Sequence, residues 1–307
     1  MEQKTGPCET ARLEQLLLKT SRTFALSIPQ LPEPTRLEVT VAYLLFRVAD
    51  TLEDATRWDP ERQLAELDRF AAVLRQPAEE SASRLAQHWI DDPPLDNPDY
   101  VELLSELAAV LAAHEQLEPE ARELVRKHTL RTVERMASFV RRTRPLQLHD
   151  LDELQAYCYA VAGIVGEMLT ELFLLGRPAL APIAPELRSG AARFGEALQL
   201  VNILKDSATD ADEGRSYLPD GVDRTEVFGL ARGDLDSAGH YVRTLQQAGA
   251  PRGVVAFTAL PVLLAWRTLE SVERRGPGAK LTRADVTEIV HGLDTALDSG
   301  RPVVPLV

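Results

Sequence analysis

The sequence predicts an all-α fold, and three observations support that prediction. Apolar residues recur at the spacing of a helix almost throughout, no alternating pattern persists long enough for a sheet, and proline or glycine clusters separate the apolar runs. The 307 residues are 45% hydrophobic, which is enough to bury a sizeable core. We therefore expect about ten helices joined by short loops, forming one continuous domain over residues 1–307 with a core of about 20–300.

The predicted helices lie between breaks at residues 29–34, 93–98, 178–185 and 276–278. Two helices differ from ordinary amphipathic surface helices. Residues 37–56 are apolar on nearly every face before they end in an acidic cluster, which predicts a centrally buried helix. Residues 156–175 are similarly apolar and include Gly163 and Gly166. These glycines allow close approach of either a neighbouring helix or a ligand, and the pattern favours neither.

Composition narrows the classes of function. Lysine and arginine total 34 against 47 aspartates and glutamates, so a formal net charge of −13 argues against a general nucleic-acid binder. Cys8 and Cys158 are too few and too far apart for a disulfide framework or a zinc site, and a reducing cytoplasm is the simplest compartment. The N-terminus lacks the apolar run of a signal peptide. No uninterrupted apolar run is long enough for a transmembrane anchor.

Two acidic clusters predict a metal-dependent site. Asp50 with Asp54, and Asp206 with Asp210, each place two carboxylates four residues apart, on one helical face. Mg²⁺ prefers carboxylate oxygens and shares one or two of them with substrate phosphates. We expect the two pairs to face each other across one pocket and to bind a diphosphate through bridging metal ions.

Basic residues accompany both clusters. Arg47 lies three residues before Asp50, Lys205 directly precedes Asp206, and Arg215 follows Asp210 by five residues. Any one such pair is ordinarily an intrahelical salt bridge of little energetic consequence. Their joint occurrence at two distant acidic clusters favours cations that bind diphosphate oxygens.

Several segments carry a resemblance to a known family. They are SRTF at 21–24, YLLFRVADTLED at 43–54, YCYAVAGIVGEMLTELF at 157–173, QLVNILKDSATD at 199–210 and GRSYLP at 214–219. In this order they resemble the squalene and phytoene synthase family, the head-to-head prenyl diphosphate synthases, and most of all a bacterial squalene synthase. The resemblance implies a class I isoprenoid synthase, a single helical bundle around a central cavity.

The resemblance also implies roles for individual residues. Metal binding falls to Asp50, Glu53, Asp54, Asp206 and Asp210, and the four aspartates with Tyr157 form the catalytic set. Tyr157 is equally well read as a hydrogen-bonded core residue or as a participant in the first proton removal. Substrate binding is assigned to Ser21, Arg22, Phe24, Tyr43, Arg47, Gln199, Asn202, Lys205, Arg215 and Tyr217.

The implied reaction is the Mg²⁺-dependent 1'-1 coupling of two prenyl diphosphates, two farnesyl diphosphates giving squalene through presqualene diphosphate. Residues 257–261 and 278–283 resemble squalene synthase segments near the reductive end of the site, which implies NADPH as reductant. Val262, where eukaryotic squalene synthases carry glutamine, leaves open a phytoene or dehydrosqualene synthase that uses no NADPH. Three further alternatives are a noncatalytic lipid-binding or assembly relative, a terpene cyclase that acts on a single diphosphate, and a purely structural helical protein. The lipid substrate implies transient contact with the membrane surface, as a protein peripheral to it.

Overall fold

The computed structural model describes residues 7–142, 147–212 and 215–305, with the side chains described from Glu9 onward. Within these residues the chain forms fourteen α-helices and no β-strand, and the one isolated bridge pairs Gln147 with Ser216. The all-α prediction is confirmed. The helices outnumber the expected ten because short helices such as Phe24–Ser27 and Pro98–Ser105 separate the long ones.

The chain divides into two compact units. The first contains Met1–Pro29 and Glu33–Arg142, and the second contains Gln30–Pro32 and Thr143–Val307, in each case within the described residues. The expectation of one continuous domain over residues 1–307 stays a prediction.

The first unit is built around a buried central helix. Its helices are α1 Pro7–Thr20, α2 Phe24–Ser27, α3 Thr35–Glu53, α4 Pro60–Arg75, α5 Glu79–Asp91, α6 Pro98–Ser105, α7 Leu107–Glu115 and α8 Pro119–Arg142. Helix α3 packs against α1, α4, α6, α7 and α8. Thirteen of its nineteen residues are buried, as its nearly continuous apolar run predicts.

The second unit is built around the longest helix. Its helices are α9 Leu151–Cys158, α10 Ile164–Leu174, α11 Ala184–Asp212, α12 Arg224–Gln247, α13 Arg252–Arg275 and α14 Arg283–Asp298. A π-helical turn, Tyr159–Gly163, joins α9 to α10. Helix α11 packs against α9, α10, α12 and α13 and is the element on which the second acidic cluster lies.

Glycines bring α11 against the helix before it. A Cβ added to Gly166 would lie 2.0 Å from the backbone oxygen of Ala191, and one added to Gly195 would lie 2.0 Å from that of Ala162. Both distances are far below a van der Waals contact, so the two backbones touch where no side chain fits. The sequence left open whether Gly166 makes room for a neighbouring helix or for a ligand, and the structure shows a neighbouring helix.

Two helical segments are long and apolar enough to cross a membrane by length and composition. They are Leu151–Leu174 and Arg252–Arg275, each of 24 residues and each containing an 18-residue window with a mean hydropathy of 1.3. The expectation that no segment forms a transmembrane anchor stays a prediction. Burial within the protein covers 61% and 67% of their apolar windows, which accounts for the composition, because core helices pass the same test.

The glycine contact predicts opposite effects for two Gly→Ala substitutions. Gly166→Ala should lower the free energy of unfolding by about 1–3 kcal/mol, because the methyl group overpacks a backbone contact. The matched control is Gly229→Ala on α12, where nothing lies within 4 Å of the added Cβ and where alanine should stabilise the helix by up to about 1 kcal/mol. Urea unfolding of both variants checks this, and a neutral or stabilising Gly166→Ala would contradict the packing account.

Candidate active site

A polar stripe runs along α3, the most buried helix of the first unit. Tyr43, Arg47, Asp50 and Asp54 are half-buried, while most residues between them are buried. Their spacing of four, three and four residues places all four side chains on one face. The helix ends at Glu53, and the Asp54 N–H donates to the Asp50 backbone oxygen at 2.8 Å. The first acidic cluster therefore lies at the C-terminal end of a rigid core helix, with Glu53 half-buried beside it.

Arg47 is clamped by aromatic rings and by a carboxylate. Its guanidinium carbon lies 5.6 Å from the ring centroids of both Tyr43 and Tyr100. Its Nε donates to the Tyr43 hydroxyl at 3.3 Å, and its Nη1 lies 3.4 Å from Asp50 Oδ2. Burial opposes the positive charge, but Asp50 and the two tyrosines outweigh it and raise the pKa of Arg47 above its ordinary value. Arg47 is therefore a fixed cation.

Asp50 is poised between its charged and neutral forms. Burial raises its pKa to about 6, Arg47 opposes that rise, and the nearby Asp54 adds to it. A raised pKa reports that the carboxylate lacks some of the stabilisation that water would give it. A bound divalent cation or a further hydrogen-bond donor would supply that stabilisation.

The SRTF segment is attached to the same stripe. The Tyr43 hydroxyl donates to the Thr20 backbone oxygen at 2.7 Å, and the Tyr43 and Phe24 rings lie 5.6 Å apart. Ser21 Oγ accepts from the Phe24 N–H, at the first residue of the short helix α2, at 2.9 Å. Arg22 is exposed. The first unit thus brings Ser21, Phe24, Tyr43, Arg47 and Asp50 into one continuous set of contacts.

The second acidic cluster lies near the C-terminal end of α11. Gln199, Asp206 and Asp210 are partly exposed and Asn202 is exposed, and their spacing places them along one side of the helix. Lys205 Nζ lies 3.0 Å from Asp206 Oδ2 and 3.4 Å from Asn202 Oδ1. The Gly278 N–H donates to the Lys205 backbone oxygen at 2.7 Å, which attaches the loop before α14 to this part of α11.

Arg215 folds back onto the same cluster. Its N–H donates to the Asp210 backbone oxygen at 2.8 Å, and its Nη2 lies 3.6 Å from Asp210 Oδ1. Tyr217, two residues on, is buried, and its ring lies 5.0 Å from the ring of the buried Tyr157. Of the GRSYLP segment, Gly214 lies outside the described residues. The second unit thus joins Tyr157 to Tyr217, and Arg215 to Asp210.

The donors of both clusters fit Mg²⁺. Within residues 7–142, 147–212 and 215–305, no three histidine, cysteine, aspartate or glutamate side chains group as a complete metal site. Mg²⁺ takes one or two carboxylates when substrate phosphates and water complete its coordination, and each cluster offers two. The raised pKa of Asp50 is consistent with a metal ligand, because a bound Mg²⁺ ion would stabilise the charged form of this carboxylate. That the clusters face each other across one pocket stays a prediction.

Two features of the site region escaped the sequence interpretation. Tyr100 contacts Arg47 from α6, and although the Asn97-Pro98 pair signals a helix start, nothing local in the sequence signals that contact. Glu196, one turn before Gln199, is near Asp234, Arg193 and Glu167. Burial raises the pKa of Glu196 to about 7, Asp234 adds to the rise, Arg193 opposes it and Glu167 adds to it.

The squalene/phytoene synthase family model matches residues 17–289, a range that contains both acidic clusters and every predicted site residue. The chain belongs to the squalene/phytoene synthase family. The resemblance seen in the motifs is thereby confirmed, whereas the closer likeness to bacterial members stays a prediction.

Individual members of the squalene/phytoene synthase family give the same picture. The squalene synthase of Eremothecium gossypii is 30% identical over 219 residues, 70% of this chain and 47% of that protein. Squalene synthase ERG9 of Candida albicans is 28% identical over 213 residues, 69% of this chain and 45% of that protein. The chain thus spans about half the length of these curated relatives.

Solved structures of the squalene/phytoene synthase family show the fold. TcSQS in complex with the ligand E5700 superposes with a TM-score of 0.76 at 24% identity, over 92% of this chain and 85% of that chain. A dehydrosqualene synthase in complex with a ligand superposes with a TM-score of 0.58 at 18% identity, over 95% and 97%. The all-α fold of this chain is therefore that of the family.

Glu196 predicts a pH dependence of stability. Its pKa is about 7 in the folded protein against an ordinary 4.5, so the folded state holds the proton more tightly. The free energy of unfolding should therefore fall as pH rises from 4.5 to 7, by roughly 1–2 kcal/mol for this half-buried carboxyl. Glu196→Gln should remove that part of the dependence.

Urea unfolding at several pH values between 4.5 and 7.5 measures the effect. Glu226→Gln, an exposed carboxyl on α12, is the control and should follow the wild type. Parallel curves for the wild type and Glu196→Gln would show that Glu196 titrates normally, contrary to this account.

Proposed function

We propose that this chain catalyses the Mg²⁺-dependent head-to-head condensation of two prenyl diphosphates, with two farnesyl diphosphates giving squalene through presqualene diphosphate. The observation that carries the proposal is the polar stripe of α3, where Arg47 and the carboxylates of Asp50 and Asp54 lie on one face of an otherwise buried helix. The carboxylate pair of α11, with Lys205 and Arg215 against it, offers the same chemistry a second time. Family membership supports the assignment of both.

The proposed residues act on the diphosphates by charge. When bound, Mg²⁺ supplies positive charge to the diphosphate oxygens and so favours breaking the allylic carbon–oxygen bond. Asp50, Asp54, Asp206 and Asp210 are the residues that would hold the metal ions, with Glu53 as a further oxygen donor. Arg47, Lys205 and Arg215 bind diphosphate oxygens directly and stabilise the leaving group as it departs.

The proposed reaction requires no nucleophile from the protein. In the first half, one farnesyl diphosphate loses its diphosphate, two bonds form to the double bond of the other donor, and one proton leaves to give presqualene diphosphate. In the second half, the remaining diphosphate departs and a hydride from NADPH completes squalene. We assign the proton of the first half to the released diphosphate or to the Tyr157 hydroxyl, which lies in a buried aromatic pair with Tyr217.

Two observations favour the reductive product over its alternatives. The curated relatives from Eremothecium gossypii, Candida albicans and Gibberella zeae that match this chain are named squalene synthases. The loop that contains Gly278, whose sequence resembles the reductive end of squalene synthases, is hydrogen-bonded to α11 beside Asp206. A dehydrosqualene or phytoene synthase would instead lose a second proton, and a noncatalytic relative would have no need of all four motif aspartates. We place the enzyme in the cytoplasm with transient membrane-surface contact, where its lipid product is released.

Incubation with farnesyl diphosphate and Mg²⁺, with and without NADPH, tests the product. We expect squalene when NADPH is present and presqualene diphosphate when it is absent, measured by mass analysis of the extracted lipids. Dehydrosqualene regardless of NADPH would place the chain among the non-reducing synthases. Absence of product from both farnesyl and geranylgeranyl diphosphate would overturn the enzymatic proposal.

The metal-binding role is tested by Asp50→Asn and Asp206→Asn. Each should lower kcat by about 10²- to 10³-fold, because a lost metal ligand removes charge stabilisation of the leaving group. Circular dichroism and melting should be nearly unchanged, since both side chains are partly exposed. Asp68→Asn and Asp236→Asn, at exposed positions of α4 and α12, are the matched controls and should retain wild-type turnover. Full activity in either motif variant would refute its metal assignment.

The role of Arg215 is tested by Arg215→Ala. Loss of a charged donor should weaken the binding of Mg²⁺ with inorganic diphosphate about tenfold, or about 1.4 kcal/mol. Calorimetric titration measures this. The control is Arg232→Ala, because Arg232 pairs with Glu273 and is not one of the proposed site residues. Equal affinities for Arg215→Ala and wild type would remove Arg215 from the diphosphate site.

A further inference from the structure

Arg47 contacts Tyr43 and Asp50 on its own helix and Tyr100 on a different helix. Tyr43 and Asp50 belong to α3 and lie one helical turn to either side of Arg47, whereas Tyr100 reaches it from the first turn of α6. The guanidinium carbon lies 5.6 Å from each ring centroid, within the range of a cation–π contact. The cation thus lies over two rings from different elements.

The backbone of Tyr100 is held firmly. Asn97 caps α6 by accepting from the N–H groups of Asp99 and Tyr100, at 3.0 and 3.4 Å, and Pro98 begins the helix. Leu103 and Leu104 anchor the next turn with fully buried side chains. The backbone that carries the Tyr100 ring is therefore anchored beside the Arg47 guanidinium.

Ion pairs fasten α6 to α1 as well. Arg12 lies 3.0 Å from a Glu102 oxygen and 2.6 Å from a Glu106 oxygen, and Lys19 lies 2.5 Å from the other Glu102 oxygen. Helix α1 ends at Thr20, whose backbone oxygen accepts from the Tyr43 hydroxyl. The two rings that contact Arg47 are thus joined through α1.

The contacts with the two rings affect how closely the Arg47 guanidinium approaches Asp50. Arg47 and Asp50 are 3.4 Å apart, longer than a well-formed charge-assisted hydrogen bond of about 2.7–2.9 Å. With a ring on each of two helices holding the cation, it does not close fully onto the carboxylate. Asp50 then keeps oxygen lone pairs for another cation, and the guanidinium keeps N–H donors for an anion.

We propose that Tyr100 is a positioning residue, whose ring holds Arg47 where it contacts both Asp50 and the diphosphate of a bound substrate. This inference rests on the proposed function for the identity of the ligand. Its core, an Arg47 side chain ordered by the Tyr100 ring, concerns this chain alone. Without the ring, Arg47 closes onto Asp50, and the carboxylate and the guanidinium are both less available to ligands.

The first test is spectroscopic and uses the ligand-free protein. Aromatic rings shift the resonances of protons that lie over their faces, so the Arg47 Nε–H signal, assigned through Arg47→Lys, should be displaced in the wild type. Tyr100→Leu should move it toward the position of an ordinary arginine. Tyr100→Phe keeps the ring and should leave it in place. Val101→Ala, the next residue of the same turn, is the control and should also leave it in place.

The second test measures ligand binding and turnover in the same four proteins. Tyr100→Leu should weaken the binding of Mg²⁺ with inorganic diphosphate about tenfold, and should raise the Mg²⁺ concentration needed for half-maximal turnover by a similar factor. Tyr100→Phe and Val101→Ala should match the wild type in both. A merely structural role would lower the melting temperature and the active fraction while leaving the Mg²⁺ requirement unchanged.

The outcomes separate the two proposals. An unmoved Arg47 signal in Tyr100→Leu overturns the positioning role, and so does a moved signal with unchanged diphosphate affinity. Loss of affinity in Tyr100→Leu that Tyr100→Phe does not share supports it. If the wild type makes no prenyl product, the proposed function fails, while the Arg47 signal and the diphosphate affinity still decide the role of Tyr100.

Discussion

The site of the first unit depends on placing charge on a helix that is otherwise buried. Helix α3 is surrounded by five other helices and buries thirteen of its nineteen residues, so each charged side chain on it loses hydration. Arg47 and Asp50 compensate each other in part, and the rings of Tyr43 and Tyr100 complete the environment of the cation. Asp50 still lacks part of the hydration that its charged form would have in water, and burial therefore raises its pKa. A ligand that stabilises the charged carboxylate would bind at this point of the site.

The second unit reaches a similar chemical result by different means. Its acidic cluster lies near the end of α11, where Asp206 and Asp210 are partly exposed. The part of α11 that precedes this cluster is held in place, because its backbone packs directly against the preceding helical segment at Gly166 and Gly195. Each carboxylate then has a cation of its own, Lys205 for Asp206 and Arg215 for Asp210, so mutual repulsion within the pair is reduced.

Local patterns predicted what depends on local spacing. The all-α class, the burial of α3 and the shared face of each aspartate pair follow from three- and four-residue periodicity. The sequence could not predict the contact of Tyr100 with Arg47, or the surroundings of Glu196, because each joins residues from different helices. The π-helical turn Tyr159–Gly163 is another case. It widens one turn inside a run that reads as a single regular helix, and no apolar spacing signals it.

The contact between α11 and its neighbour also has a consequence for how this chain can change over generations. Gly166 and Gly195 touch no proposed ligand, yet neither can gain a side chain unless two backbones move apart. Such a shift would displace the helix that bears Asp206 and Asp210. Drift at these two small residues is therefore tied to drift at the carboxylates, and we expect lineages that retain the second motif to retain glycine at both positions.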